Sequence, residues 1–202
     1  MSRIFLLSPA HCGGVRARMV LSERASFDLA QRVRVGDGAP LGEVFSFLSG
    51  LYFRGKLTYA QRFAPPARVF VITPSRGLVS PELGTGCELL REFAAFPIDA
   101  AEPRYATALR DSVLALRESL PRRTEVVLLG SIATAKYVDV LLPVFAKSLL
   151  FPGDFVGRGD MSRGGLLLRA ARDGRELAYQ PVDGAERHGA RPAKLARSTA
   201  RT

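Results

Sequence analysis

Four short stretches of the chain carry unbroken apolar runs: RIFLLS (Arg3–Ser8), RVFVIT (Arg68–Thr73), TEVVLLG (Thr124–Gly130) and SLLFP (Ser148–Pro152). A strand with one wet face alternates apolar and polar positions, whereas a strand covered on both faces does not. These runs therefore predict buried strands of a largely parallel sheet. Between them the apolar positions fall at helical spacing. Phe27, Ala30 and Val33 form one stripe; Leu41, Val44, Phe45, Leu48 and Leu51 form a second, which Leu57, Ala60 and Phe63 continue. Ala108, Leu109, Val113, Leu116 and Leu120 form a third, with arginine and aspartate opposite, and a further helical pattern (TAKYVDVLLPVFAKS) follows the third apolar run. Strands alternating with helices predict a single α/β domain over residues 1–182, with a mostly parallel or mixed central sheet flanked by helices. From Asp183 the character changes. The last sixteen residues (RHGARPAKLARSTART) hold five Lys/Arg and no acid, which predicts a disordered basic tail over 183–202.

Composition adds a partner class. The 202 residues are 47% hydrophobic, enough for one core. Lys+Arg number 29 against 19 Asp+Glu, a net charge of +10. Such a field attracts polyanions, nucleic acid before any other. Only Lys56, Lys136, Lys147 and Lys194 are lysines, so the charge is carried by arginine, whose planar fork suits phosphate. A chain rich in Arg, Ala, Gly and Leu is equally the mark of a GC-rich genome, and both explanations of the charge stay open. Two cysteines (Cys12, Cys87) and two histidines (His11, His188) make neither a disulfide framework nor a metal centre, and no cofactor is expected. The apolar run before Ser8-Pro9 is too short for a secretion signal or a membrane span, so a cytoplasmic protein without membrane insertion is expected.

In open α/β sheets ligands bind beyond the carboxyl ends of the strands, which directs attention to four loops. The first, SPAHCGG, offers Ser8, His11 and Cys12. Sequence neighbours seldom face each other as nucleophile and base, so His11 is read as a ligand contact on a shaped loop, with a plain turn as the alternative. The second loop places Ser75 and Arg76 before Gly77, a set able to hold a phosphate or an oxygen-rich ring. In the third, Gly130 and Ser131 are expected to open a helix whose free N–H groups face an anion, with Lys136 further along it. The fourth, GRGDMSRGGLLLR (157–169), reads as an Asp160 N-cap followed by Ser162, Arg163 and Gly164 in a first helical turn, where the dipole favours anions. Arg158 and Arg163 supply charge there, and Gly164-Gly165 suggest close approach to the backbone; the alternative is a cap and a tight turn. Separately, residues 51–63 interleave Tyr52, Phe53, Tyr59 and Phe63 with Arg54, Lys56 and Arg62. Stacking on bases is one reading of such a stretch. Core packing is favoured for the aromatics, leaving Arg54 and Lys56 as phosphate contacts. All four loops leave the same side of a parallel sheet. Ser8, His11, Ser75, Arg76, Ser131, Arg158, Asp160 and Arg163 are thus expected to form one polar, cationic pocket. That pocket lacks the acid pairs of a two-metal nuclease or a glycosidase.

The order of Ser8-Pro9-Ala10, Gly77 to Pro81, Lys136-Tyr137 and Met161-Ser162-Arg163 resembles the YaaA family of DNA-binding peroxide-stress proteins, across nearly the whole ordered chain. That family has lysine after Ser-Pro-Ala, where this chain has His11. The resemblance implies an α/β, stress-response protein with DNA as its partner. Three functional readings follow. The first is a nucleic-acid-binding domain, with DNA before RNA. The second is an enzyme acting on a nucleobase, nucleoside or nucleotide, of N-glycosidase or base-modifying type, with His11 or Asp160 as acid or base. The third is a partner-binding scaffold. A cavity able to hold one base, with His11 and Asp160 facing it, separates the second reading from the others.

Overall fold

A computed structural model describes residues 2–193. In chain order the elements are β1 (Arg3–Leu7), α1 (Val15–Leu21), α2 (Asp28–Val33), β2 (Ala39–Pro40), α3 (Leu41–Ser49), α4 (Leu51–Phe63), β3 (Val69–Ile72), β4 (Leu78–Val79), β5 (Gly84–Thr85), α5 (Cys87–Ala95), α6 (Pro103–Ser119), β6 (Glu125–Leu129), α7 (Ala135–Phe145), β7 (Leu149–Pro152), α8 (Asp160–Asp173) and β8 (Tyr179–Pro181). Six strands form the central sheet in the order β4-β3-β1-β6-β7-β8. The four apolar runs are its parallel interior, and the short β4 and β8 close its edges in antiparallel register. The chain is therefore an α/β domain with a mixed sheet. Among the described residues no helix is long and apolar enough to cross a membrane.

Alternation of side chains along a strand divides the interior in two. Phe5 and Leu7 of β1, with Val127 and Leu129 of β6, face a core completed by Phe45, Phe53, Tyr59 and Leu167 from α3, α4 and α8. Ile4, Leu6, Val126 and Leu128 face the other way, against Leu109 and Val113 of α6 and Val138 and Leu141 of α7. Both faces of the middle strands are dry, which is why their sequence shows no polar alternation.

Two glycine positions shape the first of these layers. The stripe from Leu41 to Phe63 is not one helix: at Gly50 the backbone turns to φ 62°, ψ −124° and starts a second helix in a new direction. Such a φ strains any residue with a Cβ. On the second helix, Gly55 meets Gly164 of α8 backbone to backbone. A Cβ on Gly164 would lie 2.7 Å from Leu51 O, and one on Gly55 2.7 Å from Gly164 O. The close approach foreseen at Gly164 is thus made by a neighbouring helix. Gly164 is buried and is no part of an anion site.

Beyond β8, Val182 is buried and Ala185 packs on the α6–α7 core. The Ala193 carbonyl accepts from Arg158 at 3.4 Å. The first part of the basic segment, residues 183–193, thus makes defined contacts with the domain. Residues 194–202, including Lys194, lie outside the described residues.

Candidate functional site

Among the parallel strands, β1 lies between β3 and β6, so the chain winds one way from β1 to β3 and the other way from β3 back to β6 and on to β7. The loops leaving β1 and β6 diverge to opposite faces of the sheet and open a crevice between them, the position at which doubly wound folds bind ligands. A cleft of about 790 Å³ lies there, within the size range of small-molecule sites.

Its floor is built on Ser8, the residue after β1. The Ser8 amide continues the sheet by donating to Leu129 O at 3.2 Å, and its hydroxyl donates to the same carbonyl at 3.3 Å. Beneath it sits Lys56 of α4, only 1% exposed. The Lys56 amine donates to Ser8 O at 2.5 Å and meets Ser8 Oγ at 2.8 Å. It lies 4.4 Å and 4.9 Å from the ring centres of Tyr52 and Phe53. Among the described residues no carboxylate forms an ion pair with it. Burial drives the Lys56 pKa down to about 7; Asp160 pulls it upward and Arg163 pushes it further down. Tyr137 of α7 reaches Ser8 from the other face of the crevice. Burial pushes its phenol up to about 12, opposed by the neighbouring Ser8 hydroxyl. The Tyr52 hydroxyl is buried and lacks a hydrogen-bond partner of good geometry, although Arg163 is near. Burial raises its pKa too.

The walls differ in character. Leu48, Phe93, Phe96 and Ile98 give an apolar side, while His11, Ser131, Lys136 and Asp160 supply polar groups. Asp99 adds a second carboxylate at the rim. Cys12 also borders the cleft, but its thiol is buried, lies 3.6 Å from Ala10 O, and is pushed up to about 12 by burial. A thiol held protonated at neutral pH is a poor nucleophile, which removes the His11–Cys12 pair from consideration.

Of the residues singled out in the sequence, Ser8, His11, Ser131, Lys136 and Asp160 converge on this cleft. Gly130 lies directly under Ser8, where an added Cβ would come within 3.0 Å of the serine Cβ. Lys56, expected at the surface beside Arg54, is buried below the floor, whereas Arg54 is exposed and away from the cleft. The expected arginine wall does not form, because the guanidinium donors are used elsewhere. Arg76 and Ser75 both bind Glu92, Arg76 through Nε at 2.8 Å and Nη2 at 2.7 Å and Ser75 through Oγ at 2.5 Å. Arg158 donates to Asp154 O at 2.9 Å and Ser162 Oγ at 3.2 Å. Arg163 is buried with two donors on Phe155 O, at 3.1 Å and 3.0 Å, and lies 3.6 Å from Asp160.

Two local expectations also change. Asp160 is the first residue of α8, with Gly159 at the cap position, so Asp160 does not cap the helix and its side chain is 70% exposed toward the cleft rim. Gly130-Ser131 do not open a helix either. The chain continues through a turn, with Ser131 Oγ accepting from Ala133 N at 3.3 Å, before α7 begins at Ala135. Sequence reasoning named Tyr52 but assigned it to the core, and missed the Phe93–Asp99 wall. One signal for the floor was readable: Tyr52, Lys56 and Ala60 stand four residues apart on the stripe that buries α4, so Lys56 occupies a core position.

No family model matches the chain, and neither does any curated protein or solved structure.

Proposed function

We propose that the chain is an enzyme that takes a nucleobase or nucleoside into the switch-point cleft. The observation that carries this reading is the pairing, in one cleft, of an apolar aromatic wall with a polar floor that stands on a buried lysine with no carboxylate partner among the described residues. An apolar side accepts the face of a planar ring. The hydroxyl, amine and carboxylate groups of Ser131, Lys136 and Asp160 match its polar edges. His11 and Asp160 both border the cleft, as the enzyme reading requires. Phosphate is a poorer fit than the sequence suggested. Lys136 is the exposed cation bordering the cleft, against the two carboxylates Asp99 and Asp160, so a neutral ring is favoured over a polyphosphate.

Isothermal titration of the full chain with a panel of free bases, nucleosides and nucleoside monophosphates tests this. Saturable one-to-one binding is expected for a base or nucleoside. Lys136→Ala and Asp160→Asn are each expected to weaken it about tenfold, or ~1.4 kcal/mol. The competing reading, supported by the net charge and the resemblance to the YaaA family, is a duplex-DNA binder. A gel shift that weakens steeply with salt, is untouched by either substitution, and is accompanied by no nucleoside binding would establish it instead.

A further inference from the structure

We propose that Ser8 is a nucleophile, that Lys56 is the base that takes its proton, and that the cleft therefore performs acyl transfer on an ester-bearing substrate. The proposal rests on the cleft being a substrate site, but not on the ring chemistry argued above. Its ground is geometric. Ser8 lines the cleft and Lys56 does not; the amine is 1% exposed and lies behind the serine, 2.8 Å from its Oγ. Ser8 is itself only 4% exposed, but it borders the cleft and the lysine does not, which makes the hydroxyl the attacking atom and leaves the amine the role of base.

The surroundings suit that role. The groups that set the charge on Lys56 are Tyr52 on its own helix, Asp160 and Arg163 on α8, and Tyr137 through Ser8. None forms an ion pair with it among the described residues. A lysine kept for structure alone normally meets a carboxylate. Burial instead leaves much of this one neutral near pH 7, the condition for accepting a proton at neutral pH. The Tyr137 phenol stays protonated beside Ser8 and is the donor available to a developing oxyanion.

In the forward step, with the amine neutral, the Ser8 Oγ–H turns from Leu129 O to Lys56 Nζ; its proton passes to the amine while Oγ bonds the ester carbonyl carbon, whose π pair moves to oxygen. Collapse breaks the bond to the leaving alcohol, which takes the proton from the Lys56 ammonium. Water then adds to the acyl-serine, giving a proton to the same amine. The Oγ–carbon bond breaks, and the proton returns to Ser8. One ester and one water yield one acid and one alcohol, and the protein is regenerated.

The probe is an alkyl fluorophosphonate, which forms an Oγ–P bond with loss of fluoride and a proton. Intact mass and peptide mapping on the full chain should show one adduct, on Ser8, and none in Ser8→Ala. The labelling rate should rise about tenfold per pH unit below neutrality and level off above about pH 7. Lys56→Met, close in volume, should slow labelling about 100-fold and lose the inflection. Lys56→Arg keeps a cation able to bind the Ser8 carbonyl but cannot accept the proton. It should be as slow, which separates a base from a structural tether. Absence of a Ser8 adduct on the wild-type chain, a wild-type rate flat with pH between about 5.5 and 8.5, or an undiminished rate in either folded lysine variant overturns the proposal. The wild-type profile decides the question even if both variants fail to fold. Nucleoside binding with Ser8 unlabelled defeats the nucleophile and spares the ring-binding reading; labelling of Ser8 without nucleoside binding does the reverse.

Discussion

The molecule has two hollows of similar size on either side of α5, about 790 Å³ at the switch point and about 840 Å³ beside Arg76 and Glu92. Size does not tell them apart; the treatment of charge does. In the second hollow the guanidinium of Arg76 meets the Glu92 carboxylate in a two-point contact, helped by Ser75. Arg76 holds Glu92 down at about 2, against the cost of partial burial. Arg76 and Glu92 compensate each other there, and that pair is sufficient as structure. Under the floor of the first hollow a cationic side chain is taken fully out of water and given hydroxyl and carbonyl oxygens, and among the described residues no counter-charge pairs with it. Such a group destabilises the fold, and it stands beside a hydroxyl that borders the cleft. Perturbed groups of this kind concentrate at working sites.

The comparison is best attacked through pH. The folded-state pKa of Lys56 lies below that of the unfolded chain, so the unfolded state binds more protons between the two values and stability rises with pH. The burial cost is fully present below about pH 7 and is relieved as pH climbs toward about 10, the ordinary lysine value. Relative to Lys56→Met, urea denaturation of the wild type should therefore show a gain of about 4 kcal/mol across that window. A constant difference between the two proteins would mean that Lys56 is charged and compensated, like Arg76. Next in size is the α4–α8 seam that holds Lys56 under Ser8. Gly164→Ala forces backbones apart and should cost about 1–3 kcal/mol in the same assay, while leaving the Arg76–Glu92 hollow intact. The smallest effect belongs to that hollow. Glu92→Gln should lower stability at pH 7 by less than about 1 kcal/mol, because Arg76 is 57% exposed and its ion pair is screened. The sign is opposite to that of Lys56: the Glu92 contribution is present above the ordinary carboxylate pKa and is lost as pH falls toward about 2. Thermal melts of wild type and Glu92→Gln at neutral and low pH should converge in acid. A loss of several kcal/mol at pH 7 would make this hollow, too, a site of strong buried electrostatics.

Much of the fold was legible because its signal is local. The four parallel strands sit where the apolar runs fall, since a doubly covered strand has no room for polar alternation. β2, β4, β5 and β8 are two or three residues long, too short to show a period, and were invisible. The Gly50 break was also missed, because the apolar stripe runs straight through it. The site was half legible. Position at a strand end located Ser8, His11, Ser131, Lys136 and Asp160. The choice of arginines failed, because a guanidinium's partner is a tertiary fact. Nothing in the sequence around Arg163 announces the Phe155 carbonyl that takes two of its donors. Lys56 was noticed for its charge, when its place on the apolar stripe was the more informative property.

The meeting of Gly55 with Gly164 also has a mechanical consequence. Two helices whose backbones touch without intervening side chains cannot slide or tilt separately without collision. α4 carries Tyr52 and Lys56, and α8 carries Asp160 and Arg163. These four groups therefore belong to one stiff jaw of the cleft. Adjustment to a bound molecule is left to the opposite jaw, the turn from Phe96 to Asp99 that follows α5 and is not clamped by such a seam among the described residues. In hydrogen exchange, the amides of Tyr52 to Lys56 should protect as slowly as those of β1, and those from Phe96 to Asp99 should open first.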